Sequence, residues 1–129
     1  MAKKVLIADD EPNIVTSLEF LMTRSGYEVA VARDGEEALA LVETFMPDLV
    51  LLDVMMPQRS GYEVCQRMRS RADWGHIRIV MLSAKGREAE VSRGLSVGAD
   101  AYVTKPFSNR ELIARVAELL GENTAPGAA

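Results

Sequence analysis

A single cysteine, Cys65, leaves the chain without an internal disulfide, which rules out a disulfide scaffold and agrees with a reducing compartment. No apolar run approaches the roughly 18 residues of a membrane span, and the short run after Met1-Ala2-Lys3-Lys4 is too brief for a signal-peptide core. A soluble, cytoplasmic protein with no membrane partner is expected. Basic excess is also missing: 15 Lys and Arg stand against 19 Asp and Glu, a net charge of -4, and an acidic surface argues against direct binding to nucleic-acid phosphates. What is present is an ordinary globular balance, 48% apolar and 26% charged over 129 residues, enough for one domain with a real core and no room for a second.

Short apolar runs alternate five times with longer helical patterns, which is the pattern of an α/β fold. The strand candidates are residues 4–8, 28–32, 48–52, 77–82 and 101–104. The first, third and fourth are almost wholly apolar, as strands covered on both faces should be. The second and fifth are weaker and are placed at the sheet edges. Between them, residues 12–25 carry Ile14, Leu18, Leu21 and Met22 at helical spacing, with Pro12 suited to a first turn and Gly26 as a stop. Asp34 with Glu37, and Ser108 with Glu111, have the spacing of helix caps ahead of apolar stripes. Residues 62–71 read as a third helix with Val64, Cys65 and Met68 facing inward. Residues 88–97 offer only Val91 and Leu95 and contain Gly94, so this fourth helix should be the least firmly held. Residues 122–129 have no periodicity and read as a disordered tail.

Five strands with right-handed crossovers make a doubly wound parallel sheet, in which ligands bind at the carboxyl ends of the strands. Four strand candidates end in polar residues: Asp9 and Asp10, Asp53, Ser83 and Lys105. Three carboxylates gathered at one edge repel each other unless a cation neutralises them. Oxygen donors with no nearby His or Cys favour Mg2+, which keeps several waters and leaves room for phosphate oxygens. One ammonium, Lys105, cannot balance three carboxylates and is better used on an incoming phosphoryl oxygen. Ser83 adds a hydroxyl donor. The set reads as a phosphoryl-transfer site working through an aspartyl phosphate.

These residues carry a family resemblance. In order along the chain stand Val5-Leu6-Ile7-Ala8-Asp9-Asp10-Glu11, then Asp48-Leu49-Val50-Leu51-Leu52-Asp53-Val54-Met55-Met56-Pro57 with Gly61, then Ser83-Ala84, and finally Gly98-Ala99-Asp100-Ala101-Tyr102-Val103-Thr104-Lys105-Pro106-Phe107. Together they resemble the response-regulator receiver domain of bacterial two-component systems over residues 4–121. The resemblance implies a CheY-like, flavodoxin-like (βα)5 fold with strand order 2-1-3-4-5. It implies that Asp53 accepts a phosphoryl group from a histidine kinase or a histidine phosphotransfer protein. It further implies that Asp10, Asp53 and the backbone carbonyl of Met55 bind Mg2+, with Asp9 acting mostly through water. Lys105 would contact the phosphoryl oxygens beside a cis bond to Pro106, and the small Ala84 would keep the phosphoryl path open. Ser83 and Tyr102 would form the switch, Tyr102 turning inward when the hydroxyl moves to the phosphoryl group. The usual output face, the fourth helix, fifth strand and fifth helix, would meet a downstream protein. Here it carries Arg93, Asp100, Glu111 and Arg115, charges resembling a set that pairs across phosphorylation-linked homodimers.

Plainer roles stand beside these. Asp9-Asp10 could cap the first helix, Asp53 could be a turn residue and Lys105-Pro106 an exposed loop. His76 follows Trp74-Gly75 and reads as solvated, Cys65 as a small buried apolar group, and Arg67, Arg69 and Arg71 as a solvated helix face. Two other functions use similar groups: a Mg2+-dependent phosphohydrolase with an Asp nucleophile, and a degenerate, binding-only receiver. The first usually has a second Asp two residues after the nucleophile, where this chain has Met55. A domain that catalyses only its own phosphorylation and slow dephosphorylation is the main expectation. The start at Met1 and the short tail favour a stand-alone receiver over the amino-terminal piece of a longer regulator.

Overall fold

The computed structural model of the protein describes residues 3–56, 60–84 and 88–121. The expected tail at 122–129 and Pro57 of the third-strand segment lie outside the described residues. The chain runs β1 (Lys4–Ala8), α1 (Pro12–Arg24), β2 (Glu28–Ala32), α2 (Gly35–Phe45), β3 (Leu49–Asp53), α3 (Gly61–Arg69), a 3-10 turn (Ala72–Trp74), β4 (Arg78–Ser83), α4 (Glu88–Ser96), β5 (Ala101–Thr104) and α5 (Asn109–Leu119). The five strands form one parallel sheet in the order β2-β1-β3-β4-β5. The apolar central strands and weaker edges thus stand where their composition placed them.

Side chains alternate across the sheet and divide the core in two. Leu6, Ala8, Val50, Leu52, Ile79 and Met81 join α2 and α3 residues such as Val42, Val64 and Met68. Val5, Ile7, Leu49, Leu51, Val80 and Leu82 face α1 and α5 through Leu18, Met22, Leu112 and Val116. Each fully buried Leu or Ile contributes about 2 kcal/mol of transfer free energy, so the register of every central strand is strongly specified.

Helix ends follow local chemistry. Asp34 accepts the N–H of Glu37 at 2.8 Å, and Ser108 that of Glu111 at 3.0 Å, as the cap spacing requires. Ser60 does the same for α3 through Glu63 at 3.3 Å, which starts that helix one residue earlier than its apolar stripe suggests. α3 ends at Arg69 and the 3-10 turn follows. Gly26, at φ 96, ends the α1 segment in the left-handed region.

Three expectations need correction. α1 buries Val15 together with Leu18 and Met22, whereas Ile14 and Leu21 are half-buried at the seam with α5. In α4, Val91 is only half-buried and Leu95 is 46% exposed; among the residues whose burial is described, the buried position is Gly94. Arg69 is not part of a solvated face. Its guanidinium donates to the carbonyl of Gly98 at 2.9 Å and to Asp100 at 2.8 Å, because the turn after α4 closes over the end of α3. His76 is exposed and Cys65 fully buried, with the thiol donating to the carbonyl of Val97 at 3.5 Å.

Candidate functional site

Parallel pairing brings the carboxyl ends of β1, β3, β4 and β5 to one edge of the sheet. Asp53 and Ser83 are the last residues of β3 and β4, so their positions are set by the ladder itself and not by a loop. Asp9 follows β1 directly and is held there by donating its N–H to the carbonyl of Ala32 at 3.0 Å. Asp9, Asp53 and Ser83 are buried, whereas Asp10 is exposed. One carboxylate oxygen from each of Asp9, Asp10 and Asp53 can be chosen so that all lie within 4.8 Å of one another.

Lys105 reaches into this cluster from the end of β5. Its Nζ lies 3.3 Å from Asp9 Oδ2, 3.5 Å from Asp53 Oδ1 and 3.7 Å from Glu11 Oε1. Its backbone N–H donates to the carbonyl of Ser83 at 2.7 Å, which ties the cation to the adjoining strand end. The Lys105–Pro106 peptide is cis. Lys105 is therefore no exposed loop residue. Nor does Asp9 cap α1: the N-cap residue is Glu11, without a side-chain cap bond, and Asp9 Oδ1 instead accepts the N–H of Glu11 at 2.9 Å.

The electrostatics reflect crowding that one cation does not relieve. Burial raises Asp53 from 3.8 to about 6, reinforced by the charges of Asp9 and Asp10 and opposed by Lys105 and the N–H of Met55. Burial alone would lower Lys105, but the charges of Asp53 and Asp9 outweigh it and hold the ammonium above its ordinary range. Three carboxylates and one ammonium leave an excess of two negative charges. Hard oxygen donors, a residual negative charge and a strained carboxylate fit Mg2+, with Asp9, Asp10 and Asp53 as the side chains able to hold it. Met55 is expected to offer its carbonyl; its N–H helps to lower the Asp53 carboxyl, and its side chain is exposed.

The expected switch residues divide between two places. Ser83 stands at the same sheet edge, one residue beyond Leu82, the β4 partner of Asp53, and opposite Thr104, with Ala84 exposed just beyond it. Tyr102 pairs with Met81 and lies away from the carboxylates, on the sheet face that packs against α3. There it neighbours Tyr62 and rests on α4, where a Cβ on Gly94 would come within 2.8 Å of its ring. Of the charges assigned to the output face, Arg93 is exposed and lies over the Tyr62 ring at 4.2 Å. Arg115 reaches Glu118 at 3.9 Å. Asp100 is committed inward to Arg69, to Arg78 at 3.3 Å and to the N–H of Ile79 at 2.8 Å.

Two contributors to the site escape a reading of strand ends alone. Glu11 supplies a third carboxylate to Lys105, with only its place after Asp9-Asp10 as a signal. Gly61 opens α3 directly against the backbone of Asp53: a Cβ there would overlap the Asp53 carbonyl oxygen and come within 2.9 Å of Val54 Cα. Only glycine lets α3 approach the end of β3 so closely.

Comparison with known proteins gives a consistent result. The model of the response regulator receiver domain family matches residues 5–117. The alkaline phosphatase synthesis transcriptional regulatory protein PhoP of Bacillus subtilis (strain 168) is 51% identical over 120 residues, which cover 93% of this chain and 49% of that protein. The chain thus spans about half the length of this relative. Among solved structures, a putative response regulator from Chloroflexus aurantiacus J-10-fl superposes with a TM-score of 0.90 at 35% identity, covering 95% of this chain and all of that one. The BeF3-activated DrrB receiver domain gives 0.85 at 31% identity, covering 95% and 100%. Chemotaxis response regulator CheY4 of Vibrio cholerae gives 0.87 at 30% identity, covering 92% and 99%.

Proposed function

The chain belongs to the response regulator receiver domain family, a phosphorylation-activated signalling domain of two-component systems, and from that premise we propose that Asp53 is its phosphoacceptor. The receiver unit is proposed to span residues 4–121. The observation that carries the reading is the position of Lys105 Nζ between Asp9 and Asp53, at the edge where three carboxylates cluster. A carboxylate that is buried, crowded by like charge and within reach of a cation is poised to trade its own charge for a bond to phosphorus.

In this reading an oxygen of Asp53 attacks the phosphorus of a phosphohistidine on a kinase or histidine phosphotransfer protein. A P–O bond forms as the P–N bond breaks, and the imidazole leaves to take up a proton. Lys105 stays protonated throughout and pairs with a phosphoryl oxygen, exchanging its contact with Asp53 for one with the new group. Ser83 offers its hydroxyl to a second oxygen from the end of β4. Asp9 and Asp10, with Asp53, form the donor set for Mg2+, which supplies charge neutralisation at the phosphoryl oxygens when bound. The same groups would support slow loss of the phosphoryl group to water, so the domain acts on itself and not on a separate substrate. Tyr102 and α4 would carry the change to a downstream protein through the α4, β5 and α5 surface, and a phosphorylation-linked homodimer would use the same face.

The test is incubation with acetyl phosphate and Mg2+, read by intact mass. A base-labile phosphoryl adduct that is absent in Asp53→Asn and suppressed by chelator supports the reading. Steady release of phosphate from unrelated monoesters, without an adduct, would favour a hydrolase instead.

A further inference from the structure

The fourth helix is fastened differently at its two ends. After α4, the N–H of Ala99 donates to the carbonyl of Gly94 at 3.2 Å and that of Asp100 to Ile79 at 2.8 Å. Arg69 clamps the same turn through Gly98 and Asp100. In the first turns, Val91 is only half-buried. What meets them is Tyr62 of α3. Its hydroxyl donates to the carbonyl of Glu90 at 3.3 Å, Arg93 lies over its ring at 4.2 Å, and Tyr102 is its neighbour from β5.

Tyr62 is in turn tied to the end of β3 that carries Asp53. It follows Gly61, whose N–H donates to the carbonyl of Val54 at 2.8 Å and whose backbone abuts that of Asp53. One side chain therefore touches the first turns of α4 and neighbours the β5 tyrosine while following the glycine that abuts Asp53. An element held by a few polar contacts has two accessible arrangements separated by little free energy.

We propose that Tyr62 is a positioning residue that holds the first turns of α4 and the ring of Tyr102 in the arrangement seen here, so that activation must release its contacts. This rests on the phosphorylation-switch reading of Asp53. Tyr62 touches no phosphoryl or metal ligand; it acts through α4 and Tyr102. Removing its hydroxyl keeps the buried ring and the Arg93 contact but deletes the bond to Glu90. The resting state should then lose a preference of about fivefold, the factor one neutral hydrogen bond carries.

The experiment uses 15N-labelled protein with Mg2+, titrated with beryllofluoride as the phosphoryl mimic, and follows the backbone amides of Val91 to Val97 and of Tyr102. In Tyr62→Phe without beryllofluoride these resonances should lie displaced from the wild-type free positions along the line toward the wild-type bound positions. Half-saturation should require about fivefold less beryllofluoride. Arg93→Ala, an exposed change, should move them the same way by a smaller amount. Resonances of Tyr62→Phe that stay at the free positions with unchanged half-saturation, or that move off the line, would overturn the proposal while leaving the switch reading intact. Wild-type amides that ignore beryllofluoride would instead bring down the switch reading, and this proposal with it.

Discussion

Replacing Asp53 with asparagine in chelator-treated, metal-free buffer should stabilise the protein at neutral pH, although it removes the residue on which the function depends. Burial and the charges of Asp9 and Asp10 hold the folded-state carboxyl near 6 against an ordinary 3.8. A raised carboxyl means that the folded chain binds the proton more tightly than the unfolded one. Ionising Asp53 therefore works against folding, and the loss of stability begins above pH ~4, grows through pH ~6 and is complete at neutral pH. Two pKa units correspond to about 3 kcal/mol. Asp10 at the rim is exposed, so water screens part of this and a gain of about 1 to 3 kcal/mol is expected. Asparagine keeps the shape and discards the charge. Urea unfolding of wild type and variant at several pH values from 4 to 8 reads the difference as a midpoint shift of roughly 0.5 to 1.5 M. The two proteins should be nearly equal at pH ~4 and diverge as pH rises. Parallel profiles, or a variant less stable at neutral pH, would refute the claim that crowding strains the Asp53 carboxylate.

The other expectations concern the surroundings of that carboxylate. Gly61→Ala places a methyl group into the Asp53 carbonyl and against Val54; it should cost about 1 to 3 kcal/mol in urea unfolding and slow adduct formation by displacing Asp53, and an unchanged phosphorylation rate would contradict the close-approach argument. Asp100→Ala leaves Arg69, Arg78 and the N–H of Ile79 without a shared acceptor; a loss of about 2 to 3 kcal/mol is expected, and a change below about 0.5 kcal/mol would show the network to be no stronger than a surface pair. Lys105→Met removes the cation that lowers Asp53, so the carboxyl should titrate above its wild-type value when followed by 13C NMR without metal; a downward movement would contradict the assigned geometry.

The strand ends were legible because they rest on local rules. An apolar run of five residues stopped by an acid reads as a buried strand meeting solvent, and parallel pairing then brings Asp9, Asp53, Ser83 and Lys105 together without further information. Caps were legible for the same reason, since Asp34 and Ser108 act on residues three positions away. The remainder depended on contacts between distant segments. Nothing in the alternation of charges along α3 marks Arg69 as different from Arg67, yet the closing turn 29 residues later takes it out of solvent through Gly98. Gly94 reads locally as a weakness in a helix, whereas its buried position makes room for the ring of Tyr102. Tyr62 reads as one more apolar residue at the start of a helix; its hydroxyl acquires a role only once α4 is laid across it.

The central claim is that Asp53, and not a neighbouring carboxylate, takes the phosphoryl group. Borohydride reduces an aspartyl phosphate to homoserine at the modified residue while leaving free carboxylates alone. Protein treated with acetyl phosphate and Mg2+, reduced, digested and sequenced by tandem mass spectrometry should carry homoserine at position 53 and aspartate at positions 9 and 10. Homoserine at position 9 or 10, or aspartate at all three after an adduct has been seen in the intact mass, would contradict it.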